Sequence, residues 1–145
     1  MKIRHGLLLS AALLLAGCSW MPHFGHKDKA PQQLTLMKSL TGEVDYTLTH
    51  ELPADAYLDV TLADVSKQDA PARIIATDHI APIGASPVTF VLSYEPSALG
   101  SGVDFAVSAT IKQGDRILAR NDTQVSVLGR SGNEGPVRVV IAEIH

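Results

Sequence analysis

Few residues in this chain have the type and spacing for covalent chemistry. There is a single cysteine, Cys18, so no internal disulfide is available and the thiol is either a nucleophile or an attachment point. His23 and His26 are three residues apart, a spacing that can share a metal, but no third ligand lies near them and they read as solvated. Gly100-Ser101-Gly102 sets a serine between glycines without the G-x-S-x-G spacing of a nucleophile elbow or a partner histidine, so it reads as a loop. Asp59, Asp64, Asp78, Asp104 and Asp122 are the carboxylates that could form a glycosidase pair, which needs two of them about 5 to 10 Å apart across a cleft. Aspartates scattered at strand ends more commonly accept from turn amides. His50, before a turn, and His79, in a strand pattern, read as structural or exposed. There is no phosphate-binding glycine loop and no dinucleotide fingerprint. The expectation is a non-enzyme with no cofactor and no metal.

The elements around Cys18 give the thiol its meaning. Met1-Lys2-Ile3-Arg4-His5 is basic, and Gly6 to Ala16 is an uncharged, mostly apolar run ending in Gly17-Cys18. This is the layout of an export signal. A membrane span needs about 20 apolar residues, and this run is too short. Leu15-Ala16-Gly17-Cys18 resembles the lipobox of bacterial lipoproteins in all four positions. The resemblance implies that Cys18 is lipidated, that residues 1–17 are cleaved, and that Cys18 becomes the first residue. Each buried CH₂ contributes about 0.8 kcal/mol and one chain anchors only marginally, so two or three chains hold a protein on a bilayer durably. Ser19 follows the cysteine. Under the enterobacterial sorting rule that comes with the resemblance, a serine there favours the outer membrane.

Residues 18–38 carry Pro22, Gly25, Pro31 and Gln32-Gln33 with no sustained period, the composition of a flexible tether. The one tryptophan, Trp20, sits beside the anchor, where an amphipathic ring suits the bilayer interface. Removing residues 1–17 takes away Lys2 and Arg4 but no acid, leaving ten basic against fifteen acidic residues. The mature chain is therefore acidic, which excludes the basic face that nucleic-acid binding requires.

From residue 39 to 145 the dominant period is two. Val44, Tyr46 and Leu48 alternate with polar residues; so do Leu58, Val60 and Leu62, and Val88, Phe90, Leu92 and Tyr94. Seven strands follow: Leu40–Leu48, Tyr57–Val65, Arg73–Ala81, Pro87–Tyr94, Asp104–Lys112, Arg116–Leu128 and Val137–Ile144. Asn121-Asp122 interrupts the sixth, marking a bulge or a crossing between sheets. Around Gly114 a hairpin is expected, with Gln-Gly, Gly-Asp and a three-residue loop all compatible. The only helical signal in the body is one turn at Pro96 to Leu99. Turns at this spacing predict a single antiparallel β-sandwich of seven to eight strands, all-β, with Phe90, Phe105, Tyr46 and Tyr94 as the aromatic part of its core.

Leu52-Pro53-Ala54-Asp55-Ala56, Asp64-Val65-Ser66, Asp69-Ala70-Pro71-Ala72, Pro87 to Pro96, Phe105 to Ile111, Asp115 to Leu118 and Asn121-Asp122-Thr123 occur in an order that resembles the YbaY/YscW-type lipoprotein family. The resemblance spans about Thr41 to Leu128. It implies a lipid-anchored β-sandwich of the Gram-negative envelope, held at the outer membrane and facing the periplasm, with no catalytic residue. It also implies a pilotin-like role, with a secretin or another envelope protein as partner. Two functions follow. One is a protein-binding or chaperone module that takes an extended partner at an exposed sheet edge. The other is a role in envelope polysaccharide binding or metabolism, which would need aromatic platforms; aromatics are only 5% of the chain, and most fall on the core side.

Overall fold

Side chains that alternate between core and solvent account for nearly every strand of the computed structural model, which describes residues 36–145. Leu15 to Ser19, Trp20, His23 and His26 lie outside the described residues. In β4 (Val88–Tyr94), Val88, Phe90, Leu92 and Tyr94 point inward while Thr89, Val91 and Ser93 face water. The remaining strands are β1 (Lys38–Thr47), β2 (Tyr57–Asp64), β3 (Arg73–Ile80), β5 (Phe105–Gln113), β6 (Arg116–Arg120), β7 (Val125–Val127) and β8 (Val137–Glu143). Short 3-10 turns follow β4 at Pro96–Leu99 and β7 at Gly129–Ser131, the first where a single turn is expected.

The strands form one rolled, all-β sheet of eight strands in the order β3-β2-β5-β6-β8-β1-β4, with β7 also paired to β5. The roll brings its two ends, β3 and β4, side by side and almost closes a barrel. Its two halves are joined between β6 and β8 by only two residue pairs, Ala119 with Glu143 and Arg120 with Ala142. Of the 22 buried hydrophobic side chains, 20 pack into one core between the halves. Phe90, Phe105 and Tyr94 are among them. Tyr46 differs: it packs at the margin and donates its hydroxyl proton to the Gly84 carbonyl at 2.6 Å.

Three pairings refine the sequence expectations. β1 and β8 run parallel, from Gly42 opposite Val137 to Thr47 opposite Ala142, so the sandwich is antiparallel in every ladder but one. No tight turn joins these two strands, and none therefore dictates their direction. Gly42 allows their close approach, since a Cβ there would meet the Val137 carbonyl and the Phe90 ring. The expected sixth strand divides into β6 and β7, and both remain on β5. Asn121 spans the gap: it accepts the Ala109 N–H on Oδ1 at 2.9 Å, and its own N–H donates to the Ala109 carbonyl at 3.3 Å. The interruption is thus a bulge and not a crossing. Gln113 opposite Arg116 leaves Gly114-Asp115 as the turn, with Gly114 at φ 56°.

Candidate functional site

Two strand edges without a ladder partner meet where the roll fails to close. β3 pairs only with β2, and β4 only with β1. The two strands are sequential neighbours and run antiparallel to each other, yet no backbone ladder joins them. Their bridge is a side chain: the Val91 N–H donates to Asp78 Oδ2 at 2.9 Å. Because strand backbone groups alternate in direction, Thr89 and Ser93 present their N–H and C=O to the same outer edge as Val91. None of the eight residues of β3 is buried, whereas β4 buries four of its seven. Ile75, Ala76 and Ile80 of β3 are only half-covered as they pack on the core.

Asp64 and Ser66 close the end of the sandwich at which the chain enters β1. Asp64 ends β2, and Asp64-Val65-Ser66 turns so that the Ser66 N–H and hydroxyl both donate to Asp64 Oδ1, at 2.9 and 2.5 Å. The same Ser66 oxygen accepts from the Val103 and Asp104 amides at 2.9 and 3.1 Å, tying β2 to the loop before β5. The Ser66 hydrogen bonds, with the nearby Arg73 guanidinium at 3.3 Å, hold the Asp64 carboxyl below the usual carboxylate range. Arg73 also donates to the Ala98 carbonyl at 2.8 Å. A cleft of about 520 Å³ opens beside this clamp, lined by Asp64, Lys67, Arg73 and Ser97 together with Pro71 and Ala98.

The other sequence candidates fall into separate places. Asp59 sits on the outer face between His79 Nδ1 at 2.7 Å and Lys112 Nζ at 3.5 Å, with the Tyr57 ring 4.8 Å from the His79 ring. Asp78 bridges the seam, and Asp104 lies 3.6 Å from Arg130. Asp122 is exposed in the β6–β7 bulge. Gly100-Ser101-Gly102 is a loop, with Gly100 at φ 54°. His50 belongs to a cluster at the opposite end, where the Thr49 N–H donates to Glu143 Oε2 at 3.0 Å, the Thr49 hydroxyl donates to the same oxygen, and His50 Nδ1 lies 3.3 Å from Glu143 Oε1. The Thr49 bonds, more than His50, lower the Glu143 carboxyl to about 2. Among the described residues no group of three or more His, Cys, Asp or Glu side chains has metal-binding geometry. Sequence reasoning overlooked the Ser66 clamp and the Thr49–Glu143 pair. Asp64-x-Ser66 after a strand is a readable turn signal; the second pair joins residues from opposite ends of the domain, and no local pattern marks it.

Residues 35–139 match the family model described as type III secretion system lipoprotein chaperone (YscW). The chain is 30% identical over 142 residues, 91% of its own length and 75% of the relative's, to the uncharacterized lipoprotein YbaY of Escherichia coli strain K12. It is also similar to the solved structure of an alternative pilotin from the type II secretion system of Vibrio cholerae, with a TM-score of 0.67 and 29% identity over 76% of this chain and 99% of that one. The family is described as a lipoprotein chaperone, the relative as a lipoprotein and the solved structure as a pilotin, which points away from catalysis and towards a membrane-anchored envelope module. With the family model covering well over half of its length, the chain belongs to the YscW family of lipoprotein chaperones.

Proposed function

We propose that this protein is a non-catalytic, pilotin-like chaperone: a lipoprotein anchored through Cys18, held at the outer membrane by way of Ser19, and presenting its β-sandwich to the periplasm to bind a secretin or another envelope protein. The observation that carries the reading is the agreement of two independent likenesses, a chaperone family over residues 35–139 and a pilotin of the same fold at 29% identity. Four of the aspartates that might have formed a catalytic pair are engaged in bonds that hold the fold together, Asp59, Asp64, Asp78 and Asp104. Among the described residues Phe90, Phe105 and Tyr94 are buried in the core, which leaves the part-exposed Tyr46 and Tyr57 as the aromatic surface for a glycan. Lipid anchoring suits a carrier: a durable anchor confines it, and anything it holds, to one leaflet.

The test is recovery of the full lipidated chain from envelopes in mild detergent, with bound protein identified by mass spectrometry. A stoichiometric envelope protein is expected. Recovery of the chain alone, together with retention on immobilised envelope polysaccharide, would overturn the proposal in favour of the glycan role. Cys18→Ala should leave uncleaved precursor without acyl chains. Ser19→Asp should shift the protein to the inner membrane in a host with the enterobacterial rule.

A further inference from the structure

We infer that the seam between β3 and β4 is the binding site for an extended partner segment, which enters as an additional strand with aliphatic side chains turned inward and basic side chains turned outward to the acidic surface. The inference deepens the protein-binding reading and rests on it.

The chemistry of the seam identifies its occupant. An unpaired strand edge is a row of alternating N–H and C=O groups, and what complements such a row is another extended backbone. On β4 that row is offered by Thr89, Val91 and Ser93, and among the described residues its hydrogen bond is the one from the Val91 N–H to Asp78 Oδ2. The carboxylate oxygen stands where the carbonyl of a partner strand would stand. Beneath the seam, Ile75, Ala76 and Ile80 remain half-exposed beside the fully covered Phe90 and Leu92. A strand parting β3 from β4 would cover these aliphatic groups and satisfy both edges. Since β3 and β4 run antiparallel, it would lie antiparallel to one and parallel to the other. The outward face of the inserted strand would best carry a cation. The surrounding field favours one, since acidic residues outnumber basic ones fourteen to eight across residues 36–145. Asp78 thus serves as a removable plug that shields the edge until a partner replaces it.

The experiment uses the full lipidated chain in detergent and a synthetic peptide of alternating valine and lysine, about seven residues long to match β4. Hydrogen exchange read by mass spectrometry should show new protection over residues 73–80 and 88–94 at peptide concentrations up to about millimolar. Methylating the peptide's backbone nitrogens should weaken binding about tenfold or more, because the ladder bonds are lost while the side chains remain. Val91→Pro removes the donor from the outer edge, outside the β1 ladder, and should have a similar effect. Asp78→Ala should tighten binding about threefold by removing the competing acceptor. Absence of protection, protection confined to other strands, or binding indifferent to N-methylation would overturn the inference. If a native partner co-purifies while the peptide fails, the chaperone reading stands and the seam is excluded. If the peptide binds while no protein partner is ever recovered, the chaperone reading fails and the strand site remains.

Discussion

The ladder between β2 and β5 and the seam between β3 and β4 both set two antiparallel strands side by side in the same rolled sheet. β2 and β5 pair over eight consecutive residues, from Tyr57 opposite Lys112 to Asp64 opposite Phe105. Leu58, Val60 and Leu62 from one strand and Val107, Ala109 and Ile111 from the other are buried between them and the opposite half. β3 and β4 share no ladder, and one carboxylate bridges them. Alternating apolar side chains are therefore enough to make a strand but not to choose its neighbours. Pairing is dense within each half of the sheet, as between β2 and β5, and is absent at the β3–β4 margin.

The sharpest way to break the comparison is to truncate matched aliphatic side chains in the two places. Leu62→Ala should cost about 2–5 kcal/mol, as for other fully buried leucines, whereas Ile75→Ala in half-exposed β3 should cost about 1 kcal/mol. Denaturant unfolding of the detergent-solubilised chain measures both, and equal losses would show the seam to be as well packed as the centre. Ser66→Ala comes next, at about 1–3 kcal/mol, because the Asp64 carboxylate and the Val103 and Asp104 amides all lose their shared partner. The loss should appear in unfolding and in faster exchange at the loop before β5.

A pH titration sharpens the contrast between the ends of the sandwich. Glu143 is lowered from the usual 4.5 to about 2 by its Thr49 bonds, so its carboxylate form is favoured by folding. Its contribution is complete above about pH 4.5 and is lost as the pH falls towards 2. Thr49→Ala should return the Glu143 midpoint, followed by carboxyl NMR, towards 4.5; a midpoint still near 2 would assign the shift to something other than Thr49. The smallest effect is expected at Asp78→Ala, a loss of about 0.5–1 kcal/mol in stability. It should be accompanied by markedly faster exchange of the Val91 amide with little change at Val60.

Most of the strand content was legible because burial on a strand obeys a local rule. Val88, Phe90, Leu92 and Tyr94 are inward in the structure because each is two residues from the last. β1 begins at Lys38, two residues before the expected start, since Lys38 and Ser39 extend the pairing with β4 without adding apolar side chains. Asn121-Asp122 announced an irregularity, but only the positions of Ala109 and Asn121 show it to be a bulge on one partner strand. Of the candidate site, Asp78 was visible merely as one aspartate among several. Its role depends on Val91, which is placed beside it by the rolling of the whole sheet.

By itself the sequence determined where most strands form and which of their faces are dry. The tertiary structure decided that β1 lies parallel to β8, that β6 and β7 share β5, and that β3 and β4 meet without pairing. The physical reason is range. Side-chain alternation is enforced by the backbone within two residues, whereas strand partnership follows from how the complete set of apolar faces can be covered at once, a condition no single segment contains.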